Sequence, residues 1–204
     1  MIDAARLRPQ LPERPSIAVL PFDNIGGDER WQRFADGITE DIITDLAHAR
    51  DLVVIARNSS AVYKAKAVDI REVGRALNVK YVLEGSIQPI AERIRVTAQL
   101  IDARSGGHVW SERFDRPSAD LFAVQNEVTQ RIAATMTGYQ GAVARAERTR
   151  LRRKPPANLS AYDTYLLAIE AKHRVTKESL AEAERLFLRA IELDPQLARA
   201  YTGL

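Results

Sequence analysis

The sequence predicts an α/β (α+β) protein: a mixed five-stranded sheet in the order β-α-β-α-β-β-β with two helices, followed by an α-helical segment. Three observations predict it. Ile17-Ala18-Val19-Leu20 and Leu52-Val53-Val54-Ile55-Ala56 are apolar without interruption, as strands covered on both faces must be. Between them, apolar residues recur at the spacing of one helix face. From Arg93 the pattern becomes strict alternation, with Ile94, Val96, Ala98 and Leu100 set against Arg93, Arg95, Thr97 and Gln99. That is a strand with one wet face.

The elements follow in order. Pro9, Pro12 and Pro15 fix φ and remove amide donors, so residues 1–15 read as an extended linker, and the chain as a fragment of a longer protein. A turn-rich loop, 23–28, follows the first strand. Trp31, Ala35, Ile38, Ile42, Leu46 and Ala49 share one face of the next helix. Beyond the second strand, Asp69 with Glu72 resembles a capping box, Ile70, Val73 and Leu77 form a short buried stripe, and Asn78 suits a left-handed terminator. A third strand runs from Tyr81 to about Ile87, then the alternating strand, a turn at Arg104-Ser105-Gly106-Gly107, and a return from His108 to Asp115. The first three strands are expected to pair in parallel through right-handed crossovers, and the last three as an antiparallel meander. Both helices are expected on one face, with the polar face of the last two strands turned away from them.

Ser118 is expected to cap a single helix that reaches about Arg153 and is ended by Pro155-Pro156. Ser160 with Asp163 offers a capping box to the next helix and Thr176 a cap to the one after. Asp194-Pro195 stops that helix, and Ala198, Ala200 and Tyr201 begin another. The expected organisation is a linker at 1–15, an α/β domain at 16–117, a connecting helix at 118–156 and a helical array at 157–204.

Apolar residues make up 46% of the 204 and charged residues 28%, enough for a core without staples. Cysteine is absent, which excludes disulfides and thiolate zinc sites. Thirty basic residues against 27 acidic ones are too even a balance to predict nucleic-acid binding. No apolar run is long enough to span a bilayer, and the first eight residues lack the apolar stretch of a secretion signal.

Four clusters invite a chemical reading. Asp36, Glu40, Asp41 and Asp45 pair up on helix faces as metal ligands could, but a solvated acidic face is the simpler account. Gly26-Gly27 stands where phosphate loops are found, yet lacks their spacing and is followed by Asp28 and Glu29. Arg145, Arg148, Arg150, Arg152, Arg153 and Lys154 form a basic helix end, which complements the helix dipole as readily as it attracts nucleic acid. Arg57, Asn58, Ser59 and Ser60 follow a buried strand at the edge where open α/β sheets bind ligands, and are the candidate ligand-binding residues. The alternative is a loop that caps its own turns. His48, His108 and His173 are isolated, and no nucleophile, base and orienter can be nominated together. No catalytic residue, metal site or cofactor is therefore expected.

Ala183, Phe187, Ala190 and Pro195 resemble the second helix of a tetratricopeptide repeat, with Ala171 a looser match in the first. The α/β block resembles the TolB-like amino-terminal domain of bacterial regulators. The segments that carry the resemblance are 16–22, 34–42, 54–60, 81–86 and 97–103, in order over about half the chain. In that family the domain, joined to tetratricopeptide repeats, often sits behind a class III adenylate or guanylate cyclase domain, and in other members behind a winged-helix DNA-binding domain. The resemblance implies a non-catalytic regulatory and protein-interaction fragment of a cyclase-like signalling protein. Its expected partner is a protein or peptide on the repeat surface, with self-association through an apolar helix face as a further expectation. The alternative is a small-ligand or nucleotide-binding domain at the strand edge near Arg57. The cytoplasm is the expected compartment, or the periplasm for a membrane-anchored parent.

Overall fold

The computed structural model describes residues 14–155 and 159–204. Apart from Arg14 and Pro15, the expected linker lies outside the described residues, as does Pro156. The chain divides into two compact units, 1–144 and 145–204.

The first unit runs β1 (Ser16–Val19), β2 (Asp23–Asn24), α1 (Glu29–Ala47), β3 (Val53–Val54), α2 (Arg57–Ser60), a 3-10 turn (Ala61–Tyr63), α3 (Ile70–Leu77), β4 (Tyr81–Ile90), β5 (Arg93–Asp102), β6 (His108–Pro117) and α4 (Leu121–Met136). The sheet order is β3-β1-β4-β5-β6. β1 pairs in parallel with β3 and β4, and β4, β5 and β6 pair antiparallel, as the sequence predicts. A sixth strand departs from the expected five: Asp23–Asn24, read as loop, pairs in parallel with Ser86 and Ile87.

Strand order corrects the expected placement of the helices. From β1 the first crossover moves to β3 on one side, and the second returns across β1 to β4 on the other. Two right-handed crossovers in opposite directions put α1 and α3 on opposite faces. Val73 of α3 packs with Ala18, Leu20 and Val82, the even side of the strands. Leu83 faces Leu100 on the odd side, and Ile87 faces Val96. α4 covers that odd side, where its Glu127 and Arg131 bind Arg116 and Glu112 of β6. Pairing of Gln99 with Glu84 then places the polar residues of β5 on α3's side of the sheet, not away from both helices.

Local chemistry fixes the elements. Asp28 caps α1 by accepting from the Arg30 amide at 2.8 Å, and Asp69 caps α3 by accepting from Arg71. Asn78 ends α3 at φ 53°, the left-handed position predicted for it. Phe34, Ala35, Ile38, Ile42 and Leu46 are the apolar core of α1, whereas Trp31 and Ala49 stay half-buried. Thr39 adds the one buried hydroxyl on that face: it accepts from the Phe22 amide at 3.0 Å and donates to the Ala35 carbonyl at 2.8 Å.

The long helix expected from Ser118 to Arg153 is two helices. Asp120, not Ser118, is the cap, accepting from the Ala123 amide at 3.0 Å. α4 stops at Met136, and α5 (Ala142–Leu151) begins after a turn. Gly138 sits in that turn at φ +74°, a conformation that costs glycine nothing and other residues much. Helical apolar spacing before and after it had hidden the break.

The second unit holds α6 (Ala161–His173), α7 (Lys177–Leu193) and α8 (Ala198–Tyr201). Ser160 with Asp163 and Thr176 with Ser179 form reciprocal capping boxes. Ala168, Ala171, Ala183 and Phe187 make the seam between α6 and α7. Three alanines in that seam let the two backbones approach closely.

Candidate functional site

The strand-edge candidates do not form loop structure. Arg57, Asn58, Ser59 and Ser60 are the single helical turn α2. Ser60 is buried, and its hydroxyl donates to the Arg57 carbonyl at 3.1 Å. The Arg57 guanidinium lies 3.2 Å from Glu40 on α1, in an exposed pair. Asn58 and Ser59 face solvent.

The acidic face of α1 is distributed among separate partners. Asp36 binds Lys64 at 2.7 Å, Glu40 takes Arg57, and Asp41 accepts from Gln125 of α4 at 2.6 Å. Among the described residues no group of three or more His, Asp or Glu could hold a metal ion. The basic helix end is likewise engaged within the second unit. Arg150 and Lys154 converge on Asp163, and Arg152 binds Glu170.

What the structure does gather is a cavity of about 310 Å³ on α3's side of the sheet. Leu20, Pro21 and Val68 give it an apolar wall, and Glu84, Ser86 and Gln99 a polar floor. Asp23, Tyr63 and Lys66 complete the lining, and none of the four α2 residues belongs to it. The floor follows from register: Glu84 of β4 stands directly opposite Gln99 of β5, and Ser86 is the next residue on the same face. Burial pushes the Glu84 carboxyl above its usual range; His108 opposes this and the negative charge of Asp23 adds to it. Sequence reasoning missed this site. Its one signal was Glu84, a lone charge within the strand expected from Tyr81 to about Ile87.

The first unit is thus a layered α/β domain with a polar-floored cavity on the α3 side of its sheet. Residues 13–131 match the family described as HilA/YgeH-like transcriptional regulator, second domain, and the chain belongs to that family. A protein of Rhizobium meliloti (strain 1021) named "Putative adenylate cyclase 3" is 48% identical over 201 residues, a match that takes in 98% of this chain and 34% of that protein. The chain therefore spans about a third of the length of this relative. Among solved structures, TolB from Acinetobacter baumannii is similar at 20% identity and a TM-score of 0.42, over 61% of this chain and 28% of that one. Lipoprotein GNA1162 from Neisseria meningitidis is similar at 19% identity and a TM-score of 0.43, over 60% of this chain and 99% of that one. The LpoB C-terminal domain from Escherichia coli is similar at 17% identity and a TM-score of 0.40, over 50% of this chain and 82% of that one. Among the described residues no helix is long and apolar enough to cross a membrane.

Proposed function

We propose that this chain is a non-catalytic regulatory and protein-interaction segment of a bacterial adenylate cyclase-like signalling protein. The observation that carries the reading is the 48% identity, spread over nearly the whole chain, with one third of a protein named as a cyclase. Membership in a family described as the second domain of transcriptional regulators supports it, because the same kind of domain then accompanies different outputs. In this reading α6 and α7 are one tetratricopeptide repeat and α8 opens the next. The array offers a concave surface to a protein or peptide partner. The proposed compartment is the cytoplasm, with the periplasm as the alternative for a membrane-anchored parent.

The test exchanges segments. Grafting this chain into the Rhizobium relative in place of its matching third is expected to preserve cyclic-nucleotide output from ATP or GTP, whereas deleting that third changes it. The isolated chain is expected to form no cyclic nucleotide. Cyclic-nucleotide synthesis by the isolated chain, or a deletion that leaves output unchanged, overturns the reading.

A further inference from the structure

The cavity beside β4 carries an inference that is independent of the regulatory reading. A carboxylate that has lost part of its hydration gains from a hydrogen-bonding or charged partner within reach. Glu84 is half-buried, its carboxylate keeps contact with solvent, and no hydrogen bond or ion pair reaches it among the described residues. The side chains of Ser86 and Gln99 beside it are also without protein partners among those residues. Three polar side chains therefore line one cavity without protein partners among the described residues.

Depth decides which charge the cavity favours. Lys66 and Asp23, of opposite charge, are exposed residues of its lining. The remaining charge is Glu84, on the floor. An anion would have to approach that carboxylate and is disfavoured. A divalent metal is disfavoured as well, because hard cations need about six oxygen ligands. Ammonium and guanidinium groups fit: both carry several N–H donors and form strong charge-assisted bonds to a carboxylate. The Ser86 hydroxyl and the Gln99 carbonyl can accept the remaining donors. The volume, about 310 Å³, lies at the small end of ligand sites, and the Leu20 and Val68 wall suits a short carbon skeleton.

We propose that this cavity binds a small organic cation, of the size of a diamine or an amino acid, whose ammonium or guanidinium group sits on Glu84 between Ser86 and Gln99. The whole 204-residue chain is titrated calorimetrically with putrescine, agmatine and L-arginine near neutral pH, with succinate as the anionic control. At least one of the three cations is expected to bind and succinate is not. Glu84→Gln is expected to weaken that binding by about tenfold or more, Gln99→Leu by a smaller factor, and Arg33→Ala, at an exposed position of α1 outside the cavity, not at all. Circular dichroism establishes that each variant is folded. In the unaltered protein, amide NMR shifts on adding the cation are expected at Ser86 and Gln99, which tests the site without any substitution. No binding by any of the three at millimolar concentration, equal binding of succinate, or affinity unchanged in folded Glu84→Gln overturns the proposal.

Discussion

Asp163 and Glu84, one carboxyl in each unit, are displaced in opposite directions. Asp163 is 2% exposed. Burial pushes its carboxyl up, but hydrogen bonds from Lys154 and the Ser160 amide, with the charges of Lys154 and Arg150, more than offset this and hold it below the usual range. Its folded form therefore binds protons less readily than the unfolded chain does. The stability it contributes is present above the unfolded value and is lost as pH falls through the folded one. For Glu84 the sign reverses: the folded form keeps its proton longer, so stability falls as pH rises from the unfolded value towards the folded one. Arg150 and Lys154 keep 28% and 34% of their side chains in water, which lessens the loss when their partner is removed. Asp163→Asn is accordingly expected to destabilise the second unit by about 1–3 kcal/mol at neutral pH, below the range for a fully buried pair. Urea midpoints should show this difference shrinking as pH falls below about 5. Glu84→Gln should be stabilising at neutral pH and indifferent in acid. The Ser160–Asp163 box was legible because cap and partner stand three apart at a helix start. Nothing in spacing says that Arg150 and Lys154 turn back onto the same carboxylate, nor that Glu84 faces a hollow.

Two helices carry an interior glycine, and the contacts of each decide what an added methyl group would do. Intrinsic propensity favours alanine over glycine by about 1 kcal/mol at either site. At Gly37 in α1, a Cβ would meet the end of the Gln125 side chain at 2.9 Å, and that side chain can swing aside at the cost of its bond to Asp41. At Gly74 in α3, the Cβ would lie 2.4 Å from the Ala103 Cβ, which is fixed to the backbone. Gly37→Ala is therefore expected to be neutral or slightly stabilising, and Gly74→Ala destabilising by roughly 1–3 kcal/mol despite the same propensity gain. Thermal unfolding of the two variants side by side checks this, and equal shifts would contradict it. The close approach of α3 to Ala103 belongs to tertiary structure. Sequence periodicity locates the stripe of each helix but not which sheet face receives it. Strand order, which sets α1 and α3 on opposite faces, depends on which neighbour β4 chooses. The break between α4 and α5 was written in the chain as Gly138, yet the apolar spacing on either side outweighed one glycine in a reading by period alone.

At the scale of the molecule, the sequence was informative about what kind of structure each part adopts, and the division into units at 144 and 145 makes a statement about cooperativity. The second unit, residues 145–204, has sixty residues, for which ordinary domain stability amounts to about 3–9 kcal/mol. Phe187 dominates its interior. The ring is 1% exposed, lies within the alanine seam of α6 and α7, and leaves no room for a side chain at Gly203, where a Cβ would fall 2.3 Å away. Truncating a buried phenylalanine to alanine removes about 3–5 kcal/mol. Phe187→Ala should therefore bring the second unit close to its unfolding midpoint while the sheet, which shares no residue with it, keeps its own core. Native-state hydrogen exchange separates the outcomes, because each amide reports the opening of the unit to which it belongs. Amides of α6 and α7 are expected to lose protection by a factor of about 100 or more, as the truncation energy requires. Those of Val82, Leu83 and Leu100 in β4 and β5 are expected to retain theirs. Loss of protection of similar size in β4 and β5 would mean that the chain opens as one cooperative body, and the division at 144 would then be one of contacts without being one of stability.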